Sequence, residues 1–243
     1  MQPNRAEADA VIASQSQQIA DDRGPSGITV AASQRGYRLF APLYDFVFGL
    51  SLAHGRRVAF ASLDARPGER VLEVGIGSGQ SLSSYAAGVE LTGIDVSREM
   101  LAKAAARLRG LPVERSAKLL EMDAGAMTFE PATFDKALLL FVVAGLPDPA
   151  GALREVRRVC RPGATIVIAS HFLSRRPLLR LFDGLLAPIY RVLRYRSDLD
   201  RDEFVAACGL EVIEARPVNL FGYSTVLVCR SPCAGRPFLR RQH

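Results

Sequence analysis

Val71-Leu72-Glu73-Val74-Gly75-Ile76-Gly77-Ser78-Gly79 carries a short apolar run straight into three glycines at alternate positions. A run of this length bounded by glycine fits a strand buried on both faces, as in a parallel sheet. Glycine lets the chain turn sharply and exposes backbone that a Cβ would shield from a ligand. Outward from this point, Val89-Glu90-Leu91-Thr92-Gly93-Ile94-Asp95 repeats the strand character and ends on an acid, 20 residues after Gly75. A Rossmann-type site meets ribose hydroxyls at such a strand end, so the two segments together predict a bound nucleoside.

The same alternation continues along the chain. Ser97 is a candidate cap for a helix over 98–108, because its hydroxyl suits the unpaired N–H groups of a first turn. Further strands are expected over 118–122, 134–141 and 164–169, a helix over about 149–159, and closing strands over 209–214 and 223–229. These elements predict an α/β fold: a Rossmann-like, seven-stranded, mostly parallel sheet with helices on both faces and an N-terminal helical prelude.

The 243 residues, 49% hydrophobic and 23% charged, suffice for one such domain with appendages but not for two. Residues 1–34 read as a mobile tail, 35–230 as the catalytic domain, and 231–243 as a basic C-terminal tail. Within the domain, 35–62 form a lid or membrane-facing prelude, with Leu39, Phe40, Leu43, Phe46, Val47 and Leu50 at helical spacing, and 172–200 form a basic amphipathic insertion. The excess of 31 Lys and Arg over 25 Asp and Glu favours an anionic surface. Cys160, Cys208, Cys229 and Cys233 show no metal-ligand spacing, so no metal is expected and the thiols read as buried or incidental. No secretory signal or membrane-spanning run is legible, so the expected location is cytoplasmic with peripheral attachment to the inner face of the cell membrane.

Dinucleotide sites favour G-x-G-x-x-G, which brings a helix N-terminus onto a pyrophosphate. Here the spacing is G-x-G-x-G with Glu73 two residues ahead. A carboxylate there repels pyrophosphate but suits the charged amino-acid part of a sulfonium cofactor. The pattern resembles motif I of class I S-adenosylmethionine-dependent methyltransferases. Glu121-Met122-Asp123-Ala124 resembles their adenine-contacting segment, and Arg161-Pro162-Gly163 precedes the fifth strand as in that family. The resemblance implies S-adenosylmethionine as cofactor, held by Glu73, Gly75, Gly77, Gly79, Asp95, Val96, Met122, Asp123 and Phe141.

Methyltransferases of bases and amides carry an Asn or Asp, two prolines and an aromatic after strand four; this chain has Phe141-Val142-Val143-Ala144-Gly145-Leu146-Pro147-Asp148-Pro149. No basic stripe with interleaved aromatics offers a nucleic-acid surface. Within 177–196, Leu178, Leu181, Phe182, Leu185, Ile189, Val192 and Leu193 follow helical spacing, with Arg180, Arg191, Arg194 and Arg196 off that stripe. Such a helix either lies in an anionic membrane interface or packs on the core as a lid.

Ala41-Pro42-Leu43-Tyr44-Asp45-Phe46-Val47-Phe48-Gly49, Gly55-Arg56-Arg57, Pro147-Asp148-Pro149 and His171-Phe172 narrow the resemblance to bacterial phosphatidylethanolamine N-methyltransferases of the PmtA type, over roughly 36–230. Ser170 departs from the Asn expected before His-Phe. The resemblance implies methylation of a phospholipid amine toward phosphatidylcholine. Tyr44, Asp45 and His171 are the candidates for accepting a proton or orienting the amine, with His54 a weaker one. Arg56, Arg57, Arg175 and Arg176 either meet lipid phosphate or face solvent. A methyltransferase of quinone biosynthesis or of a small metabolite shares most of these features, and a non-catalytic membrane-binding protein that keeps the nucleoside pocket is the reading from another class.

Overall fold

Apolar runs and capped helices lay down thirteen elements in chain order, as seen in a computed structural model describing residues 52–112, 117–173, 199–219 and 222–232. They are α1 (Ala53–Leu63), β1 (Arg70–Val74), a 3-10 turn (Leu82–Ser84), β2 (Glu90–Asp95), α2 (Arg98–Arg109), β3 (Ala117–Glu121), β4 (Phe134–Leu140) and a second 3-10 turn (Val143–Gly145). There follow α3 (Pro149–Val159), β5 (Cys160–His171), α4 (Arg201–Cys208), β6 (Glu211–Val218) and β7 (Ser224–Arg230). One sheet of seven strands has the order β3-β2-β1-β4-β5-β7-β6. Every pairing from β3 to β5 is parallel, and β7 runs antiparallel to both β5 and β6. This is the expected architecture.

Chemistry at the helix starts matches the reading. Ser97 accepts from the Met100 N–H at 3.3 Å to cap α2. Asp148 accepts from the Gly151 N–H at 2.9 Å to cap α3, with Pro149 in the first helical turn. A cap of this kind is worth about 1 kcal/mol. Both sheet faces are apolar. Leu72, Val74, Ile166, Ile168 and Leu227 pack with Leu153 and Val156 of α3 and Phe204 of α4. Val71, Leu91, Leu138 and Val167 pack with Ala59 and Leu63 of α1 and Leu101 and Ala104 of α2. A fully buried side chain of this size contributes about 2 kcal/mol relative to solvent.

Two boundaries differ from expectation by more than two residues. Arg161-Pro162-Gly163, expected ahead of the fifth strand, lies inside β5, because Cys160 already pairs with Phe134 and the register shifts before Lys136 resumes it. The missing N–H of Pro162 is tolerated at such a bulge. β6 runs on to Val218 rather than ending at 214; as the sheet's outer strand it keeps only Val218 buried and accommodates Pro217. The prelude up to residue 51, the amphipathic stretch 177–196 and residues 1–34 lie outside the described residues. Among the described residues no helix is long and apolar enough to cross a membrane, and no group of His, Cys, Asp or Glu is placed to hold a metal.

Candidate active site

The carboxyl ends of β1 and β4 and the first turn of α1 enclose a cleft with about 630 Å³ of atom-free space, including its open mouth. Its lining brings together Arg56 of α1, Glu73 of β1, Gly75 and Gly77 of the glycine turn, Gln80, and Phe141 after β4. Gly77 has φ +56, and a Cβ there would meet nothing closer than 4.0 Å. The glycine therefore supplies a left-handed turn and leaves its face of the cleft clear for a ligand. Gly79 serves packing: a Cβ would stand 2.6 Å from Leu82 and 2.9 Å from Ala104.

Glu73 is buried in the cleft floor at 2% exposure. Ser81 Oγ and Tyr85 Oη both donate to its Oε2 at 2.8 Å. Burial pushes its carboxyl from the usual 4.5 up to about 7, against the opposing pull of those two donors and of the Arg56 charge. Its own burial, and then the same pairing with Glu73, push the Tyr85 hydroxyl far up. In the sheet, Glu73 has Gly93 on one side and Leu138 on the other, so neither neighbouring strand supplies a charge beside it.

Asp95 ties the turn to β2. Its Oδ2 accepts from the Gly77 N–H at 2.9 Å and its Oδ1 from the Ser97 N–H at 2.8 Å. Burial raises its pKa, opposed by these N–H groups and that of Val96. Next along the sheet edge, the Met122 N–H donates to the Asp95 carbonyl at 3.1 Å, and Asp123 Oδ1 accepts from the Gly125 N–H at 2.7 Å. β2 and β3 thus present Asp95, Val96, Met122 and Asp123 in a row beside the glycine turn.

His171 closes β5 on the sheet face shared by Val167 and Ala169, that of α1. It is buried, stacks on Tyr223 with ring centroids 4.1 Å apart, and its Nδ1 lies 2.8 Å from the Tyr223 carbonyl. A carbonyl only accepts, so Nδ1 carries a proton, and in the neutral form of the ring the acceptor lone pair is on Nε2. Phe141 links this end to the cleft, since its N–H donates to the Ala169 carbonyl at 2.7 Å.

Of the cofactor residues expected from sequence, Glu73, Gly75, Gly77 and Phe141 line the cleft itself. Gly79, Asp95, Val96, Met122 and Asp123 are outside its lining, at the adjoining turn and strand ends. Tyr44 and Asp45 lie outside the described residues. Sequence reasoning missed Ser81 and Tyr85, the partners of Glu73, which carry no signal in a stretch of small residues. It also left Arg56 between lipid phosphate and solvent, whereas Arg56 lines the cleft.

Residues 72–168 match the family described as "Methyltransferase domain". The chain is 38% identical to the phosphatidylethanolamine N-methyltransferase of Cereibacter sphaeroides over 196 residues, covering 81% of this chain and 96% of that protein. The chain belongs to the phosphatidylethanolamine N-methyltransferase family of class I S-adenosylmethionine-dependent methyltransferases. Its cofactor is S-adenosylmethionine, in keeping with an open glycine turn flanked by a strand-end acid and a cleft carboxylate. The methyltransferase is also 34% identical to the demethylmenaquinone methyltransferase of Thermus thermophilus, over 73% of this chain and 82% of that one. A Thermotoga maritima S-adenosylmethionine-dependent methyltransferase shares the fold of this methyltransferase, with TM-score 0.62 at 16% identity over 82% of this chain and 99% of that one.

Proposed function

We propose that the chain methylates the amine of phosphatidylethanolamine and of its methylated intermediates toward phosphatidylcholine, acting as a peripheral protein on an anionic membrane surface. The observation that carries this reading is the similarity to the Cereibacter sphaeroides enzyme, which spans nearly the whole of that protein and not the cofactor motifs alone. S-adenosylmethionine, when bound, supplies a methyl group activated by its sulfonium. The chain's residues have to hold the amine in line, exclude water and take a proton.

The cofactor contacts fall to the cleft residues Glu73, Gly75, Gly77 and Phe141, with Gly79 supporting the turn and Asp95, Val96, Met122 and Asp123 continuing the site along the strand ends. An aliphatic ammonium with a pKa of about 10 has no lone pair to offer at neutral pH. His171, buried at the end of β5, is the first described candidate for that proton, since a protonated Nδ1 leaves Nε2 as the acceptor in the neutral ring and Tyr223 fixes the ring. Tyr44 and Asp45 are the remaining candidates from sequence for orienting the amine.

The test is purified protein with radiolabelled S-adenosylmethionine and anionic vesicles containing phosphatidylethanolamine, followed by separation of the lipids. Label in mono-, di- or trimethylated phospholipid supports the reading, and the last labelled species counts the transfers. A second reading, a quinone-pathway methyltransferase, is favoured by the similarity to the Thermus thermophilus enzyme. Cofactor binding with no labelled lipid, and methylation of a demethylmenaquinone instead, would establish it.

A further inference from the structure

Gly145 ends the 3-10 turn that follows β4, and nothing among the described residues asks for glycine there. Its φ is not positive, so the backbone admits any L-residue. A Cβ built on it would meet no described residue within 4 Å, and the position is half-buried. At Gly93, by contrast, a Cβ would stand 2.3 Å from Ile76, and at Gly75 2.4 Å from Val142. Among the described glycines, Gly145 alone combines a φ that is not positive with open space at the Cβ position. Glycine loses more conformational freedom on folding than any other residue. Where neither backbone nor packing demands it, close approach of a ligand to the main chain is the remaining use for it.

The turn that presents Gly145 is fixed. The Gly145 N–H donates to the Val142 carbonyl at 2.9 Å and the Leu146 N–H to the Val143 carbonyl at 3.2 Å. Val143 and Ala144 are fully buried, and the turn packs on β5. Its place in the sheet says which ligand comes near. In the order β3-β2-β1-β4-β5, the residues expected to hold the cofactor follow β1, β2 and β3, with Phe141 at the boundary. An acceptor that attacks the methyl group in line with the departing sulfur comes from the half of the sheet that the cofactor leaves, the carboxyl ends of β4 and β5. Gly145 stands at that end of β4, outside the lining of the cleft. We propose that Gly145 is a specificity-determining residue of the acceptor site, where its missing side chain lets the amine head group of the phospholipid lie against the main chain after β4, a role that rests on the lipid reading above.

Gly145→Ala and Gly145→Leu test this with three measurements: methyl transfer to vesicles of varied phosphatidylethanolamine content, isothermal titration with S-adenosylhomocysteine, and urea unfolding. Alanine is expected to lower kcat/KM for the lipid about tenfold and leucine about tenfold further. The Kd for S-adenosylhomocysteine should not change, and the urea midpoint of the alanine variant should equal or exceed that of the wild type, because the backbone accepts alanine and its unfolded chain has less freedom to lose. A protein no less stable, with its cofactor site intact, that slows in order of side-chain size has met its acceptor at that position. Wild-type kcat/KM in both variants overturns the proposal, and so does a loss that runs parallel to lost stability or lost cofactor affinity. A wild-type protein that binds S-adenosylhomocysteine but labels no phospholipid overturns the lipid reading and the head group named here with it, a failure seen before any variant is compared.

Discussion

Replacing Glu73 with glutamine should make the unliganded protein more stable at pH 8 and leave it nearly unchanged at pH 5. The side chain is 2% exposed, and burial lifts its carboxyl from 4.5 to about 7. Because the folded pKa exceeds the unfolded one, the folded chain keeps a proton that the unfolded chain has already released between those two values. Stability from this group therefore falls as pH rises through that window, and the full cost stands above about pH 7. A carboxyl displaced from 4.5 to about 7 costs about 3 kcal/mol at pH 8 and under about 1 kcal/mol at pH 5. Glutamine keeps an oxygen for Ser81 and Tyr85 and has no charge to desolvate, so Glu73→Gln removes the cost without opening a cavity. Urea unfolding of both proteins at the two pH values measures the gap directly. A gap independent of pH, or a variant less stable than wild type at pH 8, would refute the reasoning.

Asp95→Ala frees the N–H groups of Gly77 and Ser97 from the carboxylate, and calorimetric titration should show cofactor affinity lower by about tenfold or more. Gly79→Ala places a methyl 2.6 Å from Leu82 at φ +76, and chemical denaturation should record a loss of about 2 kcal/mol or more. His171→Asn removes the ring that stacks on Tyr223; single-turnover methyl transfer should slow by about 100-fold while the Kd for S-adenosylhomocysteine stays put. Equal loss in rate and cofactor affinity would assign His171 a structural role instead.

The cofactor half of the site was legible because its chemistry is written in consecutive residues. Val71 to Gly79 is one strand and one turn, and Asp95 and Ser97 end the next strand, so spacing alone predicts who sits beside whom. Fold class followed from the same periodicity, and helix α3 spans Pro149–Val159, the bounds expected for it. What escaped was contact between distant segments. The bond from the Gly55 N–H to Asn219 spans 164 residues, and no local pattern announces it. Without that contact Arg56 reads as one more exposed basic residue. Tyr85 likewise resembles any core aromatic until the fold sets its hydroxyl on Glu73. The extension of β5 back to Cys160 hid behind Pro162 and Gly163, residues that ordinarily interrupt a strand but here sit at a register shift.

Departures from local preference point to the same edge of the sheet without any appeal to the glycine motif. Among the described residues, the non-glycine positions with positive φ are Asp64, Ala132, Phe141 and Asn219. Asp64 ends α1 and Ala132 lies in the turn before β4, ordinary places for such backbone. Phe141 and Asn219 follow the last residues of β4 and β6, at the opposite end of the strands; left-handed backbone in a bulky residue such as Phe141 costs about 1 kcal/mol or more, while asparagine adopts it more readily. Each is held there by backbone hydrogen bonds. The Phe141 N–H is fixed by Ala169 at 2.7 Å, and the Asn219 carbonyl accepts from the N–H groups of Gly222 and Tyr223 at 2.7 and 3.1 Å. Phe141 lines the cleft and Asn219 seats the helix that forms its opposite wall. Phe141 and the buried acid of Glu73 are thus positions where the chain sustains an unfavourable local state, and Asn219 is a position where it uses a residue suited to the left-handed turn. They surround one cleft, which is what a fold does where it must keep a shape for a ligand rather than for itself.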